Sequence, residues 1–146
     1  MMNRLPEIED RPYTGVKATN EGAPNYEAIE NRTPENGFLL SCEICDKNAV
    51  LIDVYREEKK IRVSSALRSF VINSSNLEDI IAAFKEKYFD FIHQYLIRFD
   101  GLDGYCPECD KVYCYGHWRL RPIFDDDFYD YTLGECPEGH ERMVDD

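Results

Sequence analysis

All six cysteines and two of the three histidines fall into four short pairs: Cys42-Glu43-Ile44-Cys45, Cys106-Pro107-Glu108-Cys109, Cys114-Tyr115-Gly116-His117 and Cys136-Pro137-Glu138-Gly139-His140. No other feature limits the possible folds so strongly. Two donors separated by two or three residues of tight turn point at one centre, and the amides of that turn can hydrogen-bond the sulfurs. A single Cys-x-x-Cys would leave redox chemistry as a rival. Four pairs that use every cysteine point instead to zinc, which has no d-electron geometry preference and takes four thiolate or imidazole donors. The expected cofactor is two structural Zn2+ ions, held by Cys42, Cys45, Cys106, Cys109, Cys114, His117, Cys136 and His140.

These eight donors divide into two tetrahedral sets in three ways. Joining the first pair to the third and the second to the fourth interleaves them, a cross-brace with three thiolates and one imidazole per ion. Joining the first to the second and the third to the fourth gives a four-thiolate site and a mixed one. The remaining division joins the two central pairs and the two outer pairs. Only residues 110–113 separate Cys109 from Cys114, which suits two pairs facing different ions and favours the cross-brace.

The run Cys106-x2-Cys109-x4-Cys114-x2-His117 resembles the middle of cross-brace treble-clef zinc fingers such as the FYVE and AN1 types. Cys42-Glu43-Ile44-Cys45 resembles the first pair of RING domains, and Cys136-Pro137 is similar to the last. The resemblance covers the first pair with its neighbours and residues 105–142. For a RING-like protein it implies contact with a ubiquitin-conjugating enzyme through Ile44, an activating arginine at Arg142, and Trp118 standing in for the RING groove tryptophan.

Between the first and second pairs lies an insert, residues 46–105. Ala49 to Tyr55 reads as a strand, Arg56 to Lys60 as a charged turn and Ile61 to Val63 as the returning strand. Leu67 to Ile72 is ambiguous. Over residues 77–99, Ile80, Ile81, Phe84, Tyr88, Phe91, Ile92, Tyr95, Leu96 and Phe99 recur at steps of three and four, which predicts one long amphipathic helix ended by Asp100-Gly101. Arg119 to Phe124 and Phe128 to Leu133 read as a strand pair turning at Asp125-Asp126-Asp127. Residues 1–37 are broken by Pro6, Pro12, Pro24 and Pro34 and predict an irregular N-terminal arm, with a hint of a helical turn at Tyr26 to Glu30. The expected architecture is thus α+β: a small zinc-stabilised domain at 38–146 with β-hairpins, zinc knuckles and one long helix.

Charge narrows the function. The formal net charge is -12, and residues 101–146 carry 4 basic and 12 acidic side chains. Such a surface repels phosphate backbones and suits a basic protein partner. Lys47, Arg56, Lys59, Lys60, Arg62 and Arg68 are the residues a nucleic-acid-binding alternative would need. The N-terminus has no apolar leader, and no run approaches the ~20 apolar residues of a membrane span, so a cytoplasmic location without membrane contact is expected. A catalytic zinc requires an open coordination position, and eight donors for two ions leave none. The His-x-Glu of zinc deaminases is missing, since His93 is followed by Gln94-Tyr95. The turn at Asp125-Asp126-Asp127, with Asp130, reads as a solvated acidic tip. The sequence therefore predicts a non-enzymatic protein–protein interaction module, an adaptor or an acidic inhibitor or immunity-type protein, with a RING-like ligase component as the alternative.

Overall fold

The computed structural model describes residues 7–8, 24–29, 32–34 and 36–146. Of the arm expected over residues 1–37, the rest lie outside the described residues. Its described pieces are a two-residue strand, β1 (Glu7–Ile8), and a 3-10 turn at Tyr26–Ala28. Gly37 already begins β2 (Gly37–Ser41).

The expected hairpin forms as β3 (Asn48–Tyr55) and β4 (Lys60–Ser64), and the ambiguous segment is a strand, β5 (Ser69–Asn73). Together with β1 and β2 they make one five-stranded antiparallel sheet in the order β1-β5-β4-β3-β2. Residues 49–54 of β3 are all buried. Both faces of this strand are covered, which is why its sequence is apolar without alternation. Val50, Ile52 and Val54 join Ile61, Val63, Phe70 and Ile72 in a core capped by the helices. Leu51 points the other way, into a second core with Cys42, Cys106, Cys136, Tyr115 and Trp118.

One long helix over 77–99 does not form, and the architecture is mainly β rather than α+β. The segment is divided into α1 (Leu77–Lys85), α2 (Phe89–Tyr95) and a 3-10 turn at Ile97–Phe99. The break is a Schellman motif: Tyr88 N–H donates to the Ala83 carbonyl at 3.0 Å and Lys87 N–H to that of Phe84 at 3.2 Å, with Lys87 left-handed at φ 62. The same motif ends the second piece, with Asp100 left-handed and Gly101 N–H on the Leu96 carbonyl at 2.9 Å. Because both short helices lie on the same sheet, Ile80, Ile81, Phe84, Ile92, Tyr95, Leu96 and Phe99 are all buried, while Tyr88 and Phe91, expected on the same face, are exposed. Lys87→Gly removes the Cβ penalty of the left-handed residue. It is expected to raise stability by about 0.5–1 kcal/mol in urea denaturation, and a loss of stability would contradict this account of the break.

His93, left out of the ligand set, is a buried core residue at 7% exposure. Its Nδ1 accepts the Leu102 N–H at 3.0 Å. Gly101, at φ 85, passes so close that a Cβ there would lie 2.1 Å from the imidazole. Burial, with smaller effects from Arg142 and Arg68, pushes the His93 pKa from 6.5 down to about 4. A depressed histidine contributes stability that is present above its unfolded pKa and lost as pH falls. Wild type should therefore lose up to about 3 kcal/mol more than His93→Gln between pH 6.5 and 4, measured as the difference in urea midpoints.

After the helices the chain makes three further hairpin elements. A two-stranded sheet joins β6 (Tyr105–Cys106) to β7 (Lys111–Val112). A three-stranded antiparallel sheet in the order β10-β9-β8 joins β8 (Arg119–Asp125), β9 (Phe128–Glu135) and β10 (Glu141–Asp145). The expected strand pair is present as β8 and β9, and β10 is an additional strand that the sequence reading missed.

Candidate metal centres

Three of the four ligand pairs sit at hairpin tips. Cys42 and Cys45 lie in the turn between β2 and β3, Cys106 ends β6 with Cys109 in the turn before β7, and Cys136 and His140 lie between β9 and β10. The remaining pair, Cys114 and His117, brackets a 3-10 turn at Tyr115–His117 that leads into β8. The two Cys-x-x-Cys turns are built alike. In each, the residue after the second cysteine is a left-handed aspartate, Asp46 at φ 63 and Asp110 at φ 56. Its N–H closes the turn on the first cysteine's carbonyl, at 3.0 Å for Asp46 and 2.8 Å for Asp110. Amides point at sulfur in the first of these turns and in the Cys136–His140 turn: Ile44 N–H lies 3.4 Å from Cys42 Sγ, and Glu138 N–H 3.3 Å from Cys136 Sγ.

The donors meet in two groups, Cys42/Cys45/Cys114/His117 and Cys106/Cys109/Cys136/His140, with the ligand atoms of each group within 4.8 Å of one another. The first pair is joined to the third and the second to the fourth, which is the interleaved grouping. A hydrogen bond from Glu43 N–H to the Val112 carbonyl, 2.9 Å, brings the first knuckle beside β7. Cys45 Sγ and Cys114 Sγ are 3.7 Å apart, and Cys109 Sγ and Cys136 Sγ 3.8 Å. A disulfide requires ~2.05 Å. Sulfurs bound to one zinc at ~2.3 Å in tetrahedral geometry stand roughly 3.8 Å apart. In the second group, His140 Nδ1 lies 3.5, 3.3 and 3.4 Å from the sulfurs of Cys106, Cys109 and Cys136. One ring nitrogen has one lone pair or one proton and cannot bond three sulfurs; the three contacts mark a shared centre. His140 Nε2 faces Glu108 Oε2 at 3.7 Å, the outer carboxylate that commonly orients a ligating imidazole.

The thiols respond to two opposing effects. Burial pushes Cys106 up to about 11 and Cys114 up to about 12. Burial also acts on Cys42 and Cys136, but amide donors outweigh it and hold both below the usual thiol value. Crowded, buried thiols of this kind ionise together when a divalent cation compensates their charge. The two Cys3His groups are thus compatible with two metal ions, and the three-sulfur, one-nitrogen donor set fits zinc. Replacing one ligand in each group separately, Cys45→Ser or Cys109→Ser, is expected to lower the bound metal from two ions per chain to one, by elemental analysis of the purified protein. Two ions retained in either variant would show that the groups are wrongly drawn.

Other residues singled out from the sequence are placed differently. Arg142 does not project as an activating arginine would: its guanidinium donates to the carbonyls of Leu102 (2.9 Å), Tyr105 (2.6 Å) and Asp100. Trp118 is buried, with Nε1 on the Tyr113 carbonyl at 3.2 Å. Ile44 is exposed on the first knuckle, at 53%. Of the basic residues considered for nucleic acid, Arg68 is buried and Arg56 pairs with Glu78 at 2.9 Å. Among the described residues, Asp125, Asp126, Asp127 and Asp130 do not converge on a cation site.

Sequence reasoning missed the buried polar cluster beside the first metal group. Tyr115, between the ligands Cys114 and His117, donates its hydroxyl to Asp103 Oδ1 at 3.0 Å and accepts the Gly104 N–H at 3.1 Å. Asp103 Oδ1 also receives Arg68 Nε at 2.9 Å. The available signal was Arg68 itself, a lone charge inside the apolar run from Leu67 to Ile72.

Among the described residues no helix is long and apolar enough to cross a membrane. A family model described as a domain of unknown function, DUF8328, matches residues 31–146. No curated protein and no solved structure matches the chain.

Proposed function

The chain belongs to the DUF8328 family of domains of unknown function, and from its own residues we propose that it is a non-enzymatic protein–protein interaction module whose two zinc ions are structural. One observation carries this reading. Each group brings together four protein donors, three thiols and an imidazole, which is the full tetrahedral complement of zinc and leaves no position for a reacting water. The ions then hold together hairpins too short to stand alone. The acidic surface, net charge -12, supports a basic protein partner and disfavours nucleic acid. An adaptor, or an inhibitor that covers a basic protein, fits that surface.

Cobalt substitution tests the closed shell. The visible spectrum of the Co2+ protein should be that of tetrahedral sulfur-rich sites and should not change when azide or cyanide is added. A shift on adding either anion means an open position, and the structural reading fails.

The RING-like ligase reading retains one specific observation, the exposed Ile44 on the first knuckle. Against it, the arginine that a ligase would use is engaged with the 100–105 backbone. A discharge assay across a broad panel of ubiquitin-conjugating enzymes, comparing wild type with Ile44→Ala, separates the two readings. Discharge that depends on Ile44 would favour the ligase.

A further inference from the structure

The hairpin formed by β8 and β9 carries chemistry that the metal groups do not use. Asp125 is the register partner of Phe128, so the turn consists of Asp126 and Asp127 alone. Both are left-handed, at φ 50 and φ 72, a conformation that an Asn-Gly turn adopts more readily. Two carboxylates therefore occupy the turn in place of the residues that suit it best. On either side stand Phe124, 56% exposed, and Phe128, 75% exposed. The Phe124 ring sits edge-on to Tyr129 at 6.0 Å, which holds it in place while leaving much of it in water. Asp125 and Asp130 are exposed as well.

The arginines of this sheet are engaged elsewhere. Arg119 pairs with Glu135 and Arg121 with Glu141, each at 3.3 Å, and Arg142 is turned into the 100–105 loop. Among the described residues no cation pairs with the four tip aspartates. The tip thus presents aromatic rings and uncompensated carboxylates together, in a chain of strongly negative charge.

We propose that this tip is a docking element for an arginine-bearing basic protein surface, an inference that rests on the interaction-module reading and names the element it uses. A guanidinium satisfies both halves of the tip at once: its plane stacks on a phenylalanine face and its N–H groups fork onto carboxylates. A lysine ammonium is more strongly hydrated and offers no planar face. Nucleic acids and anionic lipid surfaces share the sign of the tip and are repelled.

The test uses the full-length, zinc-loaded protein with two defined probes, a nona-arginine and a nona-lysine peptide. Calorimetry should show the arginine peptide binding about tenfold more tightly, a modest specificity for stacking plus forked hydrogen bonds. Amide shifts in nitrogen-15 spectra should concentrate at residues 123–131. Phe124→Ser/Phe128→Ser, and separately Asp125→Asn/Asp126→Asn/Asp127→Asn, should each weaken arginine-peptide binding about tenfold, with metal content and circular dichroism unchanged. Three results overturn the proposal. Binding centred on other acidic residues and insensitive to both variants removes the tip but leaves the interaction-module reading standing. Equal binding of the two peptides reduces the effect to bulk charge. No binding of either peptide up to about 1 mM removes the tip and the basic-partner reading together, while the cobalt experiment still judges whether the zinc is structural.

Discussion

Chelation of the metals proposed for the two Cys3His groups is expected to abolish cooperative unfolding of residues 101–146 and to leave that segment exchanging its amide protons like an unfolded chain. Besides its ligands, the segment has little to hold it together. Its β6 and β7 have two residues each, and isolated hairpins are at best marginal in water. The core it shares with the large sheet contains Cys42, Cys106 and Cys136 as buried members, with Cys45, Cys109 and Cys114 packed against them. With the groups empty, crowded buried thiols would stand where metal–thiolate bonds are proposed. Structural zinc contributes apparent free energies of about 10–16 kcal/mol in finger peptides, whereas whole domains are stable by about 5–15 kcal/mol. The other core does not depend on the ligands in the same way. Val50, Ile52, Ile61, Val63, Phe70, Ile72, Ile80, Phe84 and Leu96 pack the sheet against α1 and α2. Hydrogen exchange followed by mass spectrometry should therefore lose protection throughout 101–146 on chelation and retain some in β3 to β5. A cooperative transition in 101–146 that survives complete metal removal would overturn this account.

The second large effect is expected at Arg68. Arg68→Ala should destabilise the metal-loaded protein by about 3–5 kcal/mol, because it leaves a buried carboxylate without its cation. The Arg68 side chain is 3% exposed and that of Asp103 is fully buried. The guanidinium donates to Asp103 Oδ1 and to the carbonyls of Gly101, at 2.9 Å each, and to that of Phe99. Arg142 takes the carbonyls of Asp100, Leu102 and Tyr105 from the other side. The 99–105 loop turns its backbone inward, and two arginines supply the donors that water would otherwise provide. The loop leads directly into the second ligand pair, and through Tyr115 and Asp103 it is tied to the third. Among the described residues Asp103 Oδ2 has no hydrogen-bond partner, so the carboxylate is already short of donors before Arg68 is removed. Arg68→Met combined with Asp103→Leu should recover much of the loss, since replacing both members of a buried pair with apolar groups is often close to neutral. Urea denaturation in excess zinc measures both. A cost below about 1 kcal/mol for Arg68→Ala would mean that the pair is solvated in practice.

Two of the hairpins could be read directly. The strands from Asn48 to Ser64 and from Arg119 to Glu135 announce themselves by β-branched and aromatic runs on either side of polar turns. Residues 77–99 read as one long helix because the apolar periodicity survives the break. Ile80, Ile81 and Phe84 on α1, and Ile92, Tyr95 and Leu96 on α2, face the same sheet, so a 3.6-residue period continues across two helices. The left-handed residue that divides them is a lysine, not the glycine or asparagine that usually marks such a position. The resemblance to RING domains implied surface roles for Arg142 and Trp118, yet both are turned inward to satisfy backbone carbonyls.

By itself, the sequence determined the eight candidate metal donors and their division into four pairs. Each pair is a local object, two donors within one tight turn, and spacing alone is enough to recognise it. It also indicated the acidity of the C-terminal segment, which needs no folding to be counted. Only the tertiary structure decided which pairs meet, because that depends on which hairpin tips are brought together across the 46–105 insert. It likewise decided that the aromatic and acidic residues at 124–128 stand free at a hairpin tip while Arg68, Asp103 and Tyr115 are sealed beside the first metal group. Burial is a property of the packed chain. A charge in an apolar run and a phenylalanine beside an aspartate look alike in sequence until the sheets and metal centres place one inside and the other in water.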